Sequence, residues 1–308
     1  MLRYVCLRLG LTVPVLLAAS LVIFVLGRLA PGDPVALILA EQQSNPEIVD
    51  RIRAEFGFDE PIPVQYLYWL RQALRGDLGI SFFRFGRPVT AILAEGLATT
   101  VKLAAVALAI AVVFGVGLGV CGAVWRWTWV DSLSLLVALL GVSVPRFVLG
   151  PVGILVFALT LHVLPVAGWG RWEHYLLPAV VLSAHGVATI CRLTRSSLLE
   201  TLGRDYVRTA RAKGCPERTV ILRHALRNAL VPVVTLVGTS FGFLLSGSFI
   251  VETIFNVPGL GRLGVTAIFQ RDYPVIQGIT LVMVFLFLLI NLAVDLTYSV
   301  LNPRVRYE

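Results

Sequence analysis

Six apolar runs organise the chain, near residues 9–30, 97–124, 132–161, 176–195, 229–251 and 275–301. All but the fourth comfortably exceed the roughly 20 apolar residues that a helix needs to cross a hydrocarbon core about 30 Å thick. Backbone N–H and C=O groups cannot be left unpaired in lipid, so continuous apolar runs of this length predict helices rather than loops or isolated strands. The pattern therefore predicts an all-α membrane protein with six transmembrane helices. Pro145, inside the third run, lacks a backbone donor and should bend its helix. Small residues recur at helical spacing at Gly115, Gly119 and Gly122, and again at Gly238, Gly242 and Ser246. Such faces let helices approach closely, either within the chain or against another chain.

Two polar stretches interrupt the apolar pattern. The first, from Pro31 to Gly96, opens with Pro31-Gly32-Asp33-Pro34. Asn45-Pro46-Glu47 resembles the start of a short amphipathic helix carrying Ile48, Val49, Ile52 and Phe56, ended by Gly57. Gly76-Asp77-Leu78-Gly79 marks a turn before the second run. The second stretch, 192–228, has the pattern of two short helices about a glycine. Asp205 is placed to cap a helix through Tyr206, Val207, Thr209 and Ala210, and Gly214 to end it in the left-handed conformation. Pro216 suits the first turn of a second helix through Val220, Ile221 and His224, leading into the fifth run. The expected organisation is a first helix with its extramembrane segment, 1–96, and a five-helix membrane domain, 97–302, containing the loop 196–228.

Charge assigns the sides. Nine basic residues lie in 192–228 (Arg192, Arg195, Arg204, Arg208, Arg211, Lys213, Arg218, Arg223 and Arg227) against Glu200, Asp205 and Glu217. With six spans both termini share a side, and Arg3, Arg8, Arg126, Arg304 and Arg306 fall there together with that segment. Positive-inside asymmetry makes this side cytoplasmic, both termini included, and makes 31–96 external. The first run, behind Arg3 and Arg8, is read as an uncleaved span because several more follow it.

Composition agrees with a membrane protein: 57% of residues are hydrophobic, 14% are charged, and the mean hydropathy is +0.84. The net charge of +8 does not point to nucleic acid, because the basic residues gather at the ends of apolar runs. Lys102 and Lys213 are the two lysines, and neither sits in the Gly-Lys-Ser/Thr setting that cradles a nucleotide phosphate. Cys6, Cys121, Cys191 and Cys215 are too scattered for a metal site and are expected as free thiols. His162, His174, His185 and His224 show no metal-ligand spacing, and no catalytic constellation is present.

The residues from Tyr206 to Gly214, followed by His224-Ala225-Leu226-Arg227-Asn228-Ala229-Leu230-Val231-Pro232, resemble the ATPase-docking loop of permeases in binding-protein-dependent ABC importers, in particular the dipeptide, oligopeptide and nickel branch. Further stretches resemble that branch in order: Pro31-Gly32-Asp33-Pro34, Gly76 to Ser81, Glu252-Thr253-Ile254-Phe255, Pro258 to Leu263, Arg271-Asp272-Tyr273-Pro274, and Asp295-Leu296-Thr297-Tyr298 with Asn302-Pro303-Arg304. The resemblance implies the type I importer permease fold. It also implies a second homologous permease, two ABC ATPase subunits that bind the ATP, an external peptide-binding protein, and no cofactor on this chain. It assigns docking to Asp205, Tyr206, Thr209, Ala210 and Gly214. The family's docking loop usually begins Glu-Ala-Ala, where this chain has Arg208-Thr209-Ala210, so docking is expected to work through shape and neighbouring residues.

For cargo, the resemblance implies a peptide pathway, with glutathione or a nickel chelate as alternatives on the same architecture. Pro145 and Arg146 are the candidate pathway residues. A charge well inside a span costs at least about 2.5 kcal/mol and should face protein or water. Arg146 stands at a position that the family usually leaves uncharged, and could favour an acidic group on the substrate. His185, in the fourth run, is expected as a packing residue, and Asp295 as an anchor of the last helix or a partner contact. An ion-driven transporter would need buried acids, of which Asp295 is the main candidate. A membrane scaffold that moves nothing is the remaining alternative.

Overall fold

A computed structural model of the protein describes residues 2–29, 60–84, 86–246 and 248–301. The expected helix at 45–57 lies outside them. Among the described residues the fold is helical, with one isolated bridge between Ile80 and Pro88. The helices in chain order are α1 (Leu2–Leu29), α2 (Ile62–Leu74), α3 (Val89–Val124), α4 (Trp129–Ser143), α5 (Arg146–Thr160), α6 (Glu173–Leu202), α7 (Asp205–Ala212), α8 (Glu217–Ser246), α9 (Ser248–Ile254), α10 (Leu260–Gln270) and α11 (Tyr273–Leu301). Five of these helices, α1, α3, α6, α8 and α11, are long and apolar enough to cross a membrane, and α4 with α5 makes a sixth span if counted together.

That sixth span is not the single helix that the run 132–161 predicts. Its halves meet at 108°. Pro145 disfavours the helical region for the residue before it, and Val144 accordingly takes φ −88°, ψ 118° while Pro145 itself is extended at ψ 145°. Two consecutive extended residues make a break, where a lone proline within a continuous helix would make only a kink.

Two compact units divide the chain. In the first (1–99 with 258–288), α2 lies on α1. Phe24 is buried and meets the rings of Tyr66 and Trp69 at 5.5 and 5.7 Å, and the Ser20 and Tyr66 hydroxyls bond at 2.8 Å. The polar pattern of 31–96 does not by itself predict α2. Its signal is Pro63 in a first turn followed by Val64, Tyr66, Leu67, Trp69 and Leu70.

A buried carboxylate closes the same unit. Asp272 is 3% exposed. It accepts the Ser81 hydroxyl at 2.5 Å and the Phe82 N–H at 3.3 Å, and Ser81 Oγ in turn accepts the Arg84 N–H at 3.0 Å. Gly79, at φ +81° with its N–H on the Asp77 carboxylate, supplies the turn that delivers Ser81. Two stretches nearly 200 residues apart in sequence are thus joined.

In the second unit (100–257 with 289–308), α6 is the central helix, with 56% of its most apolar window buried. The small-residue face of α3 packs on it: a Cβ at Gly119 would lie 2.6 Å from Thr194 Cβ, and one at Gly115 2.8 Å from Ile190 Cβ. A Cβ at Gly141 of α4 would lie 2.6 Å from the Ala184 carbonyl oxygen. The Gly115 and Gly119 face therefore serves packing within the chain, and Gly238 does the same against Val294.

Candidate docking element and substrate pathway

The segment 203–219 forms a helix, a glycine turn and the start of a second helix. Arg204, not Asp205, occupies the cap position of α7, with no side-chain cap bond; Asp205 is the first helical residue, its side chain exposed and 3.6 Å from Arg208. The carboxylate still lies at the positive end of the helix, where a negative charge is favourable. At the other end Gly214 has φ +77°, its N–H bonds the Arg211 carbonyl at 2.9 Å, and the Cys215 N–H bonds the Ala210 carbonyl at 3.3 Å. That pair of bonds is the Schellman arrangement, in which glycine takes the left-handed position.

The α8 helix begins immediately after, with Pro216 at its cap position, and runs unbroken into the fifth span. Its stretch Val220–Ala225 is π-helical, a local widening often found at functional positions.

The inner face of this element is fixed. Val207, Ala210 and Val220 are buried in one cluster with Ala123 of α3 and Leu198 of α6. Each fully buried valine contributes about 1.5–3 kcal/mol relative to exposure. Arg211 and Glu217 bridge the glycine turn at 2.6 and 3.1 Å, a contact that raises the Arg211 pKa further above an already high value. Asn228 donates to the Tyr206 hydroxyl at 2.9 Å. Of the five residues assigned to docking, Asp205, Tyr206, Thr209 and Gly214 lie on the exposed surface together with Arg208 and Lys213, whereas Ala210 faces inward and is 7% exposed.

A further ion pair lies close by and was not expected from the sequence. Arg195 of α6 binds both oxygens of Asp131 of α4 at 2.6 and 2.8 Å, and Asp131 also accepts the Trp127 N–H at 3.1 Å. Trp127 is held at φ +66°, which an L residue rarely adopts. Asp131 is the one acid between 97 and 172, and an acid alone at the end of an apolar run was the available signal. Glu252 is likewise fully buried and accepts the Thr100 hydroxyl at 2.8 Å.

The break between α4 and α5 opens a cavity of about 590 Å³ walled by α4, α5, α6 and α8. Both candidate pathway residues, Pro145 and Arg146, line it. So does His185, expected as a packing residue; it is exposed and shares the wall with Thr189, Thr239 and Ser240. The side chain of Asp295 lies outside the described residues. Among the described residues no group of His, Cys, Asp and Glu could hold a metal ion.

Known proteins supply the family. Residues 111–307 match the model of the binding-protein-dependent transport system inner membrane component, and residues 1–104 match that of its N-terminal part. The chain is 44% identical to the glutathione transport system permease protein GsiC of Escherichia coli and 43% identical to its namesake in Salmonella typhimurium, each over the whole of both chains. Among solved structures, the MetNI methionine ABC transporter in inward-facing form matches 68% of this chain and 96% of its own, with a TM-score of 0.58 at 20% identity. An amino acid ABC transporter crystallised with histidines matches 68% and 94%, with a TM-score of 0.56 at 16% identity. At those identities the structures speak for the fold alone, and the full-length relatives speak for the family. The chain belongs to the binding-protein-dependent transport system inner membrane components, and it is a multi-pass permease of an ABC importer.

Proposed function

We propose that this permease forms one half of the translocation pathway of an ATP-driven peptide importer, and that the surface of α7 and the Gly214 turn is where an ATPase subunit grips it. The observation that carries the docking role is the build of that element: a capped helix, glycine turn and helix start whose inner face is locked to α3 and α6, while Asp205, Tyr206, Thr209 and Lys213 stay exposed. A force applied there is delivered to the spans rather than absorbed by a loop. The positive charge of 192–228 supports a cytoplasmic position for the element and for both termini.

The assembly comprises a second homologous permease, two ABC ATPases that bind and hydrolyse the ATP, and an external binding protein that delivers the cargo. This chain performs no catalysis of its own. ATP-driven closure of the ATPase pair pushes the docking element, and rigid-body movement of the spans exposes the pathway to each side in turn. Full-length identity to the glutathione permeases makes glutathione, a small peptide with free carboxylates, the leading cargo among peptides.

The test is uptake of labelled glutathione and of a labelled tripeptide by liposomes holding the whole assembly. Uptake that requires ATP and survives a proton ionophore is the expected result. Uptake that collapses with the ionophore while ATP is maintained contradicts it, as does an ATP-hydrolysing assembly that moves neither compound.

A further inference from the structure

The cavity walled by α4, α5, α6 and α8 carries a chemical preference that deepens, and rests on, the reading of it as a peptide pathway. Arg146 brings a permanent positive charge to the wall, His185 is the other group that can be cationic, and no Asp or Glu is among the described residues lining it. Arg146 is also the first residue of α5, whose N-terminal end adds the partial positive charge of unpaired backbone N–H groups.

The hydroxyls on the other walls point their hydrogens elsewhere. Thr189 donates to the His185 and Gly186 carbonyls at 3.0 and 3.1 Å, and Thr239 to the Leu236 carbonyl at 3.0 Å. Ser240 donates to the Leu236 carbonyl at 2.6 Å, and Ser246 to the Gly242 carbonyl at 3.2 Å. A hydroxyl whose hydrogen is held by its own helix offers a ligand only lone pairs. The cavity thus places a cationic side chain at one corner and several neutral acceptors suited to N–H groups on its other walls.

We propose that this cavity selects peptides by a free carboxylate, paired with the Arg146 guanidinium, and takes amide or amino N–H groups on the hydroxyl oxygens of Thr189, Thr239, Ser240 and Ser246. With no acid among the described residues of the wall, a charged amino group is not required. The occupant is a peptide that must be an acid at one end and is free to be blocked at the other.

The test uses the complete importer in liposomes, with the binding protein saturated. The probes are glutathione and trialanine, each as the free acid, with its carboxylates blocked as esters, and N-acetylated. Wild type is compared with Arg146→Gln and Arg146→Lys. The binding protein is the same throughout, so a change in the ratio of free-acid to blocked uptake isolates the share of this chain. A charge-assisted bond of ordinary strength predicts that Arg146→Gln lowers that ratio by about tenfold or more. Arg146→Lys should keep most of it, and acetylation should matter little in every form.

An unchanged ratio in Arg146→Gln overturns the proposal, and so does equal loss of all probes. If that variant does not assemble, Arg146→Met takes its place: an unchanged ratio of free-acid to blocked uptake overturns the proposal, and a lowered ratio supports it. A wild-type importer that hydrolyses ATP and moves neither free peptide overturns the peptide function itself and the inference with it. One that moves every probe form alike overturns the inference alone.

Discussion

Gly119 shows how little room the contact between α3 and α6 leaves. A Cβ there would meet Thr194 Cβ at 2.6 Å and the Cys191 carbonyl oxygen at 2.7 Å, whereas a Cβ at Gly117, two residues away, would meet nothing within 4 Å. Overpacking of a close contact costs about 1–3 kcal/mol. Gly119→Val should therefore lower the thermal midpoint of the detergent-solubilised protein clearly, and Gly117→Val should change it little. Equal effects would mean that helix propensity, not packing, sets the outcome. At Asp131 the issue is charge. Arg195 is 18% exposed at its side chain, so losing its partner leaves a mostly buried cation and an unpaired Trp127 N–H. Breaking such a pair costs about 3–5 kcal/mol, while replacing both members by apolar groups is often neutral. Asp131→Ala should destabilise strongly, and Asp131→Leu combined with Arg195→Met should recover most of the loss in the same thermal assay. Failure of the double variant to recover would show that the backbone contact to Trp127 matters more than the ion pair.

Among the helices, what the sequence revealed tracks the strength of the apolar pattern. The spans were legible because hydrocarbon demands uninterrupted apolar residues, yet their ends were not: α6 continues to Leu202 and α8 begins at Glu217, both through polar turns outside the apolar runs. The break at Val144 and Pro145 was visible as a proline, but its 108° angle depends on two extended residues that composition does not specify. Around the proposed docking element, Gly214 was readable because its left-handed conformation favours glycine. The inward turn of Ala210 was not, because a linear motif carries no side-chain direction. Here Gly214→Val is informative. The space around the residue is open, so the penalty is the left-handed backbone, about 1–2 kcal/mol for an L residue. The variant should insert normally and retain ATP hydrolysis while losing most transport. Asn, which tolerates that conformation, should preserve it. Normal transport by Gly214→Val would count heavily against coupling through this turn.

Taken as a whole, the second unit offers a continuous physical route from the proposed docking surface to the cavity. Val207, Ala210 and Val220 pack with Leu198 on α6, Arg195 lies three residues before Leu198 and clamps α4 through Asp131, and α4 ends at the break that opens the cavity. Each step is a packed or ion-paired contact, so displacing α7 shifts the cavity wall rather than a loose segment. The claim beneath this route is that an ATPase touches the α7 surface. The most direct measurement places a photo-crosslinking residue at Lys213, exposed beside the glycine turn, and in a separate protein at Phe269, exposed near the end of α10, in the assembled membrane complex. A crosslink to the ATPase subunit is expected from position 213 and none from position 269. No product from 213, or equal products from both, would contradict it.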